Sequence, residues 1–197
     1  FLENKLYKSS GYFYPICLLL AYTGMRLGEA CALTWEDIDF KNKSIFIHST
    51  MYAKNYNNYV KQDTPKTQSS IRKIYIDNFL ITVLKKWRKK QLINRLQNGK
   101  NNKVDAENYV FTTIVAHTNK EKAVLPIAVS TAFKYINKKH LFPKHIHAHM
   151  LRHTHVSLLA ETRKVSLTDI QARLGHSSDE MTRRVYLHVT EKSKIDT

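Results

Sequence analysis

Cysteine, glycine and acidic side chains are all scarce in this 197-residue chain, with two Cys, five Gly and 16 Asp plus Glu against 32 Lys plus Arg. Two cysteines exclude a disulfide-stapled scaffold. Cys17 and Cys31 both stand among apolar residues and read as reduced, buried thiols, which places the chain in the cytoplasm. Five glycines exclude a collagen-like repeat, and nothing in the composition or pattern supports a coiled coil. No apolar run reaches the ~20 residues a membrane span needs. The longest nearly apolar stretch, Tyr12 to Tyr22, contains Pro15 and reads as a buried helix, and no signal peptide is expected before it.

What remains is an ordinary globular composition, 43% hydrophobic, in a chain the size of one domain. A chain this long buries roughly 70% of the surface its unfolded form exposes, so a full core is expected. The formal charge of +16 points to a polyanionic partner, nucleic acid first and an anionic membrane surface second. Its placement says more than its size. Residues 41–145 carry the whole +16, because residues 1–40 net −2 and residues 146–197 net +2. The cations are 23 Lys to 9 Arg. Point-charge lysines suit neutralisation of backbone phosphates, and the scarcer arginines suit forked contacts.

Along the chain, residues 11–34 read as two helical segments broken at Thr23-Gly24, a break that presents Arg26. Ser44 to Thr50 alternates around Ile45 and Ile47, an Asn-rich turn follows at 55–58, and Ile71 to Ile76 alternates around Arg72 and Ile74. This predicts a small antiparallel sheet of two or three strands. Leu80, Val83, Leu84 and Trp87 share one helical face among Lys85, Lys86, Arg88, Lys89 and Lys90, a basic amphipathic helix whose apolar face is not continued by Leu92, Ile93 and Leu96. Asn98 to Glu107 reads as a polar loop, and further helices are expected at 127–139, 148–161, 167–174 and 179–186. Trp35 and Trp87 read as core. The expectation is a single α+β domain over 1–197, mainly helical with a small antiparallel β-sheet.

Six of the ten histidines fall between residues 140 and 155. His149 and His153, four apart on a helix, are a candidate pair for a divalent ion, but no nearby carboxylate or thiolate set completes the sphere and Arg152 between them repels a cation. His149 and Arg152 instead lie three apart on one helical side, where they can converge on a single anion. Farther on, Leu174-Gly175-His176 breaks a helix and Tyr186-Leu187-His188 follows. His147, His153, His155 and His188 read as structural, through capping, packing or phosphate contact.

Taken in order, Thr23-Gly24-Met25-Arg26-Leu27-Gly28-Glu29, then Lys66-Thr67 with Ser70 and Arg72, then His149-Met150-Leu151-Arg152-His153-Thr154, then Leu174-Gly175-His176, then Tyr186-Leu187-His188 resembles the catalytic domain of the tyrosine recombinase (phage integrase) family over about residues 15–190. The resemblance implies that Arg26 and Arg152 clamp a scissile DNA phosphate, that Lys66 on a hairpin is the general acid, that His149 and His176 assist, and that Tyr186 is the nucleophile. Glu29 then supports the Arg26 turn. Two fixed guanidiniums suit the charge that gathers when an oxyanion attacks a phosphodiester. A tyrosine hydroxyl ionises near pH ~10, so the nucleophile needs a base or a strongly positive site.

The resemblance further implies a site-specific recombinase or integrase of a bacterial phage, conjugative transposon or genomic island, cutting and rejoining strands through a 3′-phosphotyrosyl link with no cofactor and no metal. Its expected partner is double-stranded DNA at recombination core sites, with no membrane. A homotetramer on DNA is expected of the full-length protein and a monomer of this domain alone. Separate N-terminal core-binding and arm-binding domains are expected outside this chain. Two other readings share its residues: a type IB topoisomerase-like enzyme that only relaxes strands, and a DNA-binding module without cleavage.

Overall fold

The computed structural model describes residues 11–55, 58–62, 70–97, 108–115, 120–175 and 180–195. Seven helices and three small antiparallel sheets are found among them. Helix α1 (Phe13–Thr23) runs into Gly24, whose left-handed φ of 66° ends it, and α2 (Leu27–Ala32) restarts after the extended Arg26. Strands β1 (Ile38–Asp39) and β2 (Ser44–Ile47) follow, then β3 (Thr50–Asn55), β4 (Asn58–Gln62) and β5 (Arg72–Tyr75). Helix α3 (Asn78–Gln97) precedes β6 (Thr112–Val115) and β7 (Lys120–Ala123), and the chain ends in α4 (Pro126–Lys138), α5 (Ala148–Glu161), α6 (Leu167–Leu174) and α7 (Glu180–Ile195).

The expected small sheet is three separate ones. β2 lies between β1 and β5, pairing Ile45 with Ile74 and Ile47 with Arg72. The run after Ile47 does not extend β2. It breaks at His48 and Ser49 and re-pairs as β3 antiparallel to β4, one on each side of residues 56–57. β6 and β7 form a third sheet that the polar Lys120-Glu121-Lys122 pattern hides.

Helix α3 runs to Gln97, beyond the point where its apolar face ends. Gln91 takes the position after Leu80, Leu84 and Trp87 on the buried side, accepting from Trp35 Nε1 (3.0 Å) and donating to Val110 O (2.9 Å) and Thr112 Oγ1 (2.7 Å). Leu92, Ile93 and Leu96 are exposed. A buried amide with both ends satisfied keeps the helix docked where the apolar face ends. Beside it, Glu121 accepts from Arg95 Nε (2.7 Å) and from the Thr112 hydroxyl, which explains a buried carboxylate on β7.

The main core gathers Phe13, Ile16, Leu19 and Leu20 of α1 with Ile45 and Ile74 of the sheet, Leu80 and Leu84 of α3, and Phe111 and Ile136. Each such side chain contributes about 1.5–3 kcal/mol by leaving water. Helix α1 packs against α5 and α3, and α5 against α7. Val156, Ile170 and Leu174 form a second small cluster under α7. Trp35 and Trp87 are both buried, as expected, and both cysteines are free thiols, Cys31 buried and Cys17 partly so. No helix among the described residues is long and apolar enough to cross a membrane. The expected loop at 98–107 lies outside the described residues.

Candidate active site

The turn between α1 and α2 is built by its two glycines. Gly24 needs its positive φ, and a Cβ there would stand 2.6 Å from His155 Cδ2 and 2.8 Å from Leu174 Cδ2. Gly28 lets α2 lie against β3, since a Cβ would meet Met51 O and Thr50 Oγ1 at 2.6 Å. Thr23 closes the last turn of α1, donating from Oγ1 to Leu19 O (2.6 Å) and accepting from Met25 N (3.3 Å). Arg26 therefore leaves the turn on fixed backbone.

Glu29 does support that turn. Its Oε2 accepts from Arg26 N (2.8 Å) and its Oε1 from Arg26 Nη1 (2.8 Å), a helix-capping arrangement. The same carboxylate accepts from Arg72 Nη2 (2.8 Å) and Nη1 (3.1 Å). Burial opposes the ionised form of Glu29, but the Arg72 hydrogen bonds and charge, with the Arg26 backbone bond and charge, outweigh it and hold the carboxyl below its ordinary pKa of 4.5. Arg26 keeps 39% of its side-chain surface exposed, so part of its five-donor fork faces outward.

Helix α5 carries His149 and Arg152 on one side. Arg152 is only 3% exposed, and its guanidinium donates to Gly24 O and, at 3.1 Å, to Leu174 O. It is thus a brace between the Arg26 turn and the end of α6 as well as a candidate phosphate ligand. His149 is exposed, its ring edge-to-face with that of His153 at a centroid distance of 4.5 Å. Among the described residues, no group of three or more His, Cys, Asp or Glu is arranged to hold a metal ion. Tyr186, half-buried on α7, packs against the Val156–Ile170–Leu174 cluster, and Leu174 of that cluster supplies a carbonyl that holds Arg152. The turn with Arg26, α5 with His149 and Arg152, and α7 with Tyr186 are therefore tied to one another. Lys66 and His176 lie outside the described residues, and the nearest described neighbours of those segments are Ser70 and Gly175.

Two arginines join the site without having been singled out as reactants or supports. Arg72 of β5, through Glu29, Ser70 O (3.0 Å) and Arg173 O (2.7 Å), links the Arg26 turn to the start of β5 and to the end of α6. Arg173 bonds to His155. Neither has a local signal, because their partners lie far away in the chain. His155 is buried between helices and His188 is exposed on α7. Arg26 and Arg72 share the Glu29 carboxylate, while Arg152 is held by main-chain carbonyls and Arg173 by His155 and carbonyls, so the region is positive and suited to fixing an anion. On α3, Lys85, Lys86, Arg88 and Lys89 are exposed, with Lys85 and Arg88 lying over the Phe40 ring.

Comparison with known proteins shows the family and the fold. The sequence profile of the phage integrase family matches residues 4–193. The integrase of Staphylococcus phage L54a is 39% identical over 174 residues, which cover 87% of this chain and 46% of that protein. A XerC-like tyrosine recombinase of Caldanaerobacter subterraneus subsp. tengcongensis is 34% identical over 195 residues, covering 94% of this chain and 48% of the relative. The chain spans about half the length of the curated relatives it matches. Among solved structures, the Tn1549 transposon integrase in complex with transposon right end DNA superposes with a TM-score of 0.72 at 25% identity, over 98% of this chain and 60% of that one. The mainly helical α+β fold with small antiparallel sheets is that of tyrosine recombinase catalytic domains, as expected. By the profile match and by these relatives, the chain belongs to the phage integrase family.

Proposed function

We propose that this chain is the single catalytic domain of a site-specific DNA recombinase that integrates or excises a mobile element, such as a phage, conjugative transposon or genomic island. The observation that carries the reading is the tie from Arg152 to Gly24 and Leu174. It joins the turn presenting Arg26 to the helix bearing His149 and to the cluster on which Tyr186 packs. Double-stranded DNA is the substrate, in keeping with the DNA-bound transposon integrase it resembles and with the exposed cations of α3.

In this reading Tyr186 Oη attacks the phosphorus of a backbone phosphodiester while its proton passes to His149. The bond from phosphorus to the 5′ oxygen breaks, and Lys66 protonates the departing oxygen, assisted by His176. The products are a 3′-phosphotyrosyl ester and a 5′ hydroxyl. One ester replaces another, so a different 5′ hydroxyl can reverse the step and rejoin the strands without a nucleoside triphosphate. Arg26 and Arg152 stabilise the charge of the crowded phosphorane-like state more than that of the ground state, and their prior fixation by Glu29 and by main-chain carbonyls removes reorganisation from the barrier.

The test is a duplex carrying the core site with a nick that lets the 5′ fragment diffuse away, incubated with the full-length protein. Covalent protein on the 3′ phosphate supports the reading. Binding without any adduct leaves a DNA-binding module, and, on a supercoiled plasmid carrying the same core site, relaxation without exchange between duplexes leaves a topoisomerase; either overturns it.

A further inference from the structure

The last turn of an α-helix leaves carbonyls without donors from its own helix. At the end of α1 they are met one after another. Leu20 O accepts from Gly24 N (2.9 Å), Ala21 O from His155 Nδ1 (3.0 Å), Tyr22 O from Arg173 Nη2 (3.3 Å) and Gly24 O from Arg152 Nη1. Two of these donors are guanidinium cations, the charge a helix C-terminus favours. Arg173 reaches farther still. Its Nε donates to His155 Nε2 (3.1 Å), its Nη2 also donates to Tyr75 O (3.1 Å), and its own carbonyl accepts from Arg72 Nε (2.7 Å).

His155 is held as one tautomer, with Nδ1–H on Ala21 O and Nε2 accepting from Arg173. Burial, then the Arg173 charge, then that of Arg152 push its pKa down to about 4 against the pull of the Ala21 bond. The ring is therefore neutral at physiological pH, and its Cδ2 fills the space a side chain at position 24 would need. The segments that meet on Arg173 are those from which the proposed site departs. Tyr22 leads to Arg26, β5 follows the segment containing Lys66, and Arg173 itself stands three residues before His176.

We propose that Arg173 is a positioning residue: by holding His155, Tyr22 O and Tyr75 O together, it sets the Arg26 turn in register with β5 and the end of α6, so that Arg26 and Arg152 can address one phosphate. The inference rests on the recombinase reading and deepens it. The role demands a planar fork, because a lysine ammonium on a flexible stem cannot serve the imidazole and both carbonyls in the same geometry.

The test compares wild type, Arg173→Met and Arg173→Lys as full-length protein on the nicked duplex, at DNA concentrations that saturate each and well below each melting midpoint. Cleavage is expected to fall on the order of 10²-fold in Arg173→Met, since misplacement of about 1 Å costs that much. At least a tenfold loss is expected in Arg173→Lys, with DNA affinity changed less than threefold in both. The 15N resonances of His155 should show the Nδ1-protonated tautomer in wild type and a loss of that single state in the variants. Should Arg173→Met fail to fold, the lysine variant and its His155 spectrum decide. Wild-type cleavage by Arg173→Lys at saturation, or an unchanged His155 tautomer in both variants, overturns the proposal. Absence of the adduct in wild type overturns the recombinase reading instead.

Discussion

Arg152 donates from Nη1 to the carbonyl of Gly24, 128 residues earlier in the chain. That bond makes the Arg26 turn a continuation of helix α5, and the site stands or falls with the shape of the turn.

Gly24 should therefore be intolerant of even one methyl group. Its φ of +66° and the 2.6 Å approach of His155 Cδ2 leave no room for alanine. Gly24→Ala is expected to destabilise by about 2–5 kcal/mol, from the left-handed backbone (~1–2) and overpacking (~1–3) together. Urea unfolding measures it, and a loss below about 1 kcal/mol contradicts the packing described.

Glu29 predicts a pH dependence of known sign. Its folded-state pKa lies below the ordinary 4.5, so its contribution to stability is fully present above pH 4.5 and is lost as pH falls through the folded value. The gap in stability between wild type and Glu29→Gln should be flat near neutrality, about 3–5 kcal/mol for a buried pair broken on one side, and should shrink only in acid. Denaturation curves from pH 3 to 7 check this; a gap that widens in acid contradicts it.

The cysteines should be silent. Burial pushes the Cys17 thiol up to about 12 and raises that of Cys31 as well. Because the thiolate is the reacting form, native protein at pH 8 should react with an aromatic disulfide reagent only as fast as it opens, whereas denatured protein reacts at once. Rapid labelling of the native state contradicts this.

Those features differ in how far the sequence announces them. Helix α6 is written locally: Ser166 accepts from Asp169 N (3.1 Å) at its start, and Gly175, at φ 72°, ends it. α5 runs from 148 to 161 as its pattern predicts, and the Thr23-Gly24 break falls where the motif puts it. The β6–β7 pair was not legible, because its buried Glu121 depends on Arg95, 26 residues away. Nor was the continuation of α3, whose buried face passes from Trp87 to the polar Gln91. In the site, the motifs single out Arg26, His149, Arg152 and Tyr186. They give Arg72 no role and do not separate Arg173 from the other cations, because what sets these two apart is partners 43 and 18 residues distant.

The central claim is that Tyr186 forms the covalent link to DNA. The direct measurement is trypsin digestion of the adduct trapped on the nicked duplex, nuclease trimming of the DNA, and mass spectrometry of the peptide spanning Val185 to Lys192. Tyr186 is expected to carry a nucleotide 3′-phosphate in that peptide, and Tyr186→Phe to form no adduct. A nucleotide on any other residue, or an adduct that survives Tyr186→Phe, contradicts it.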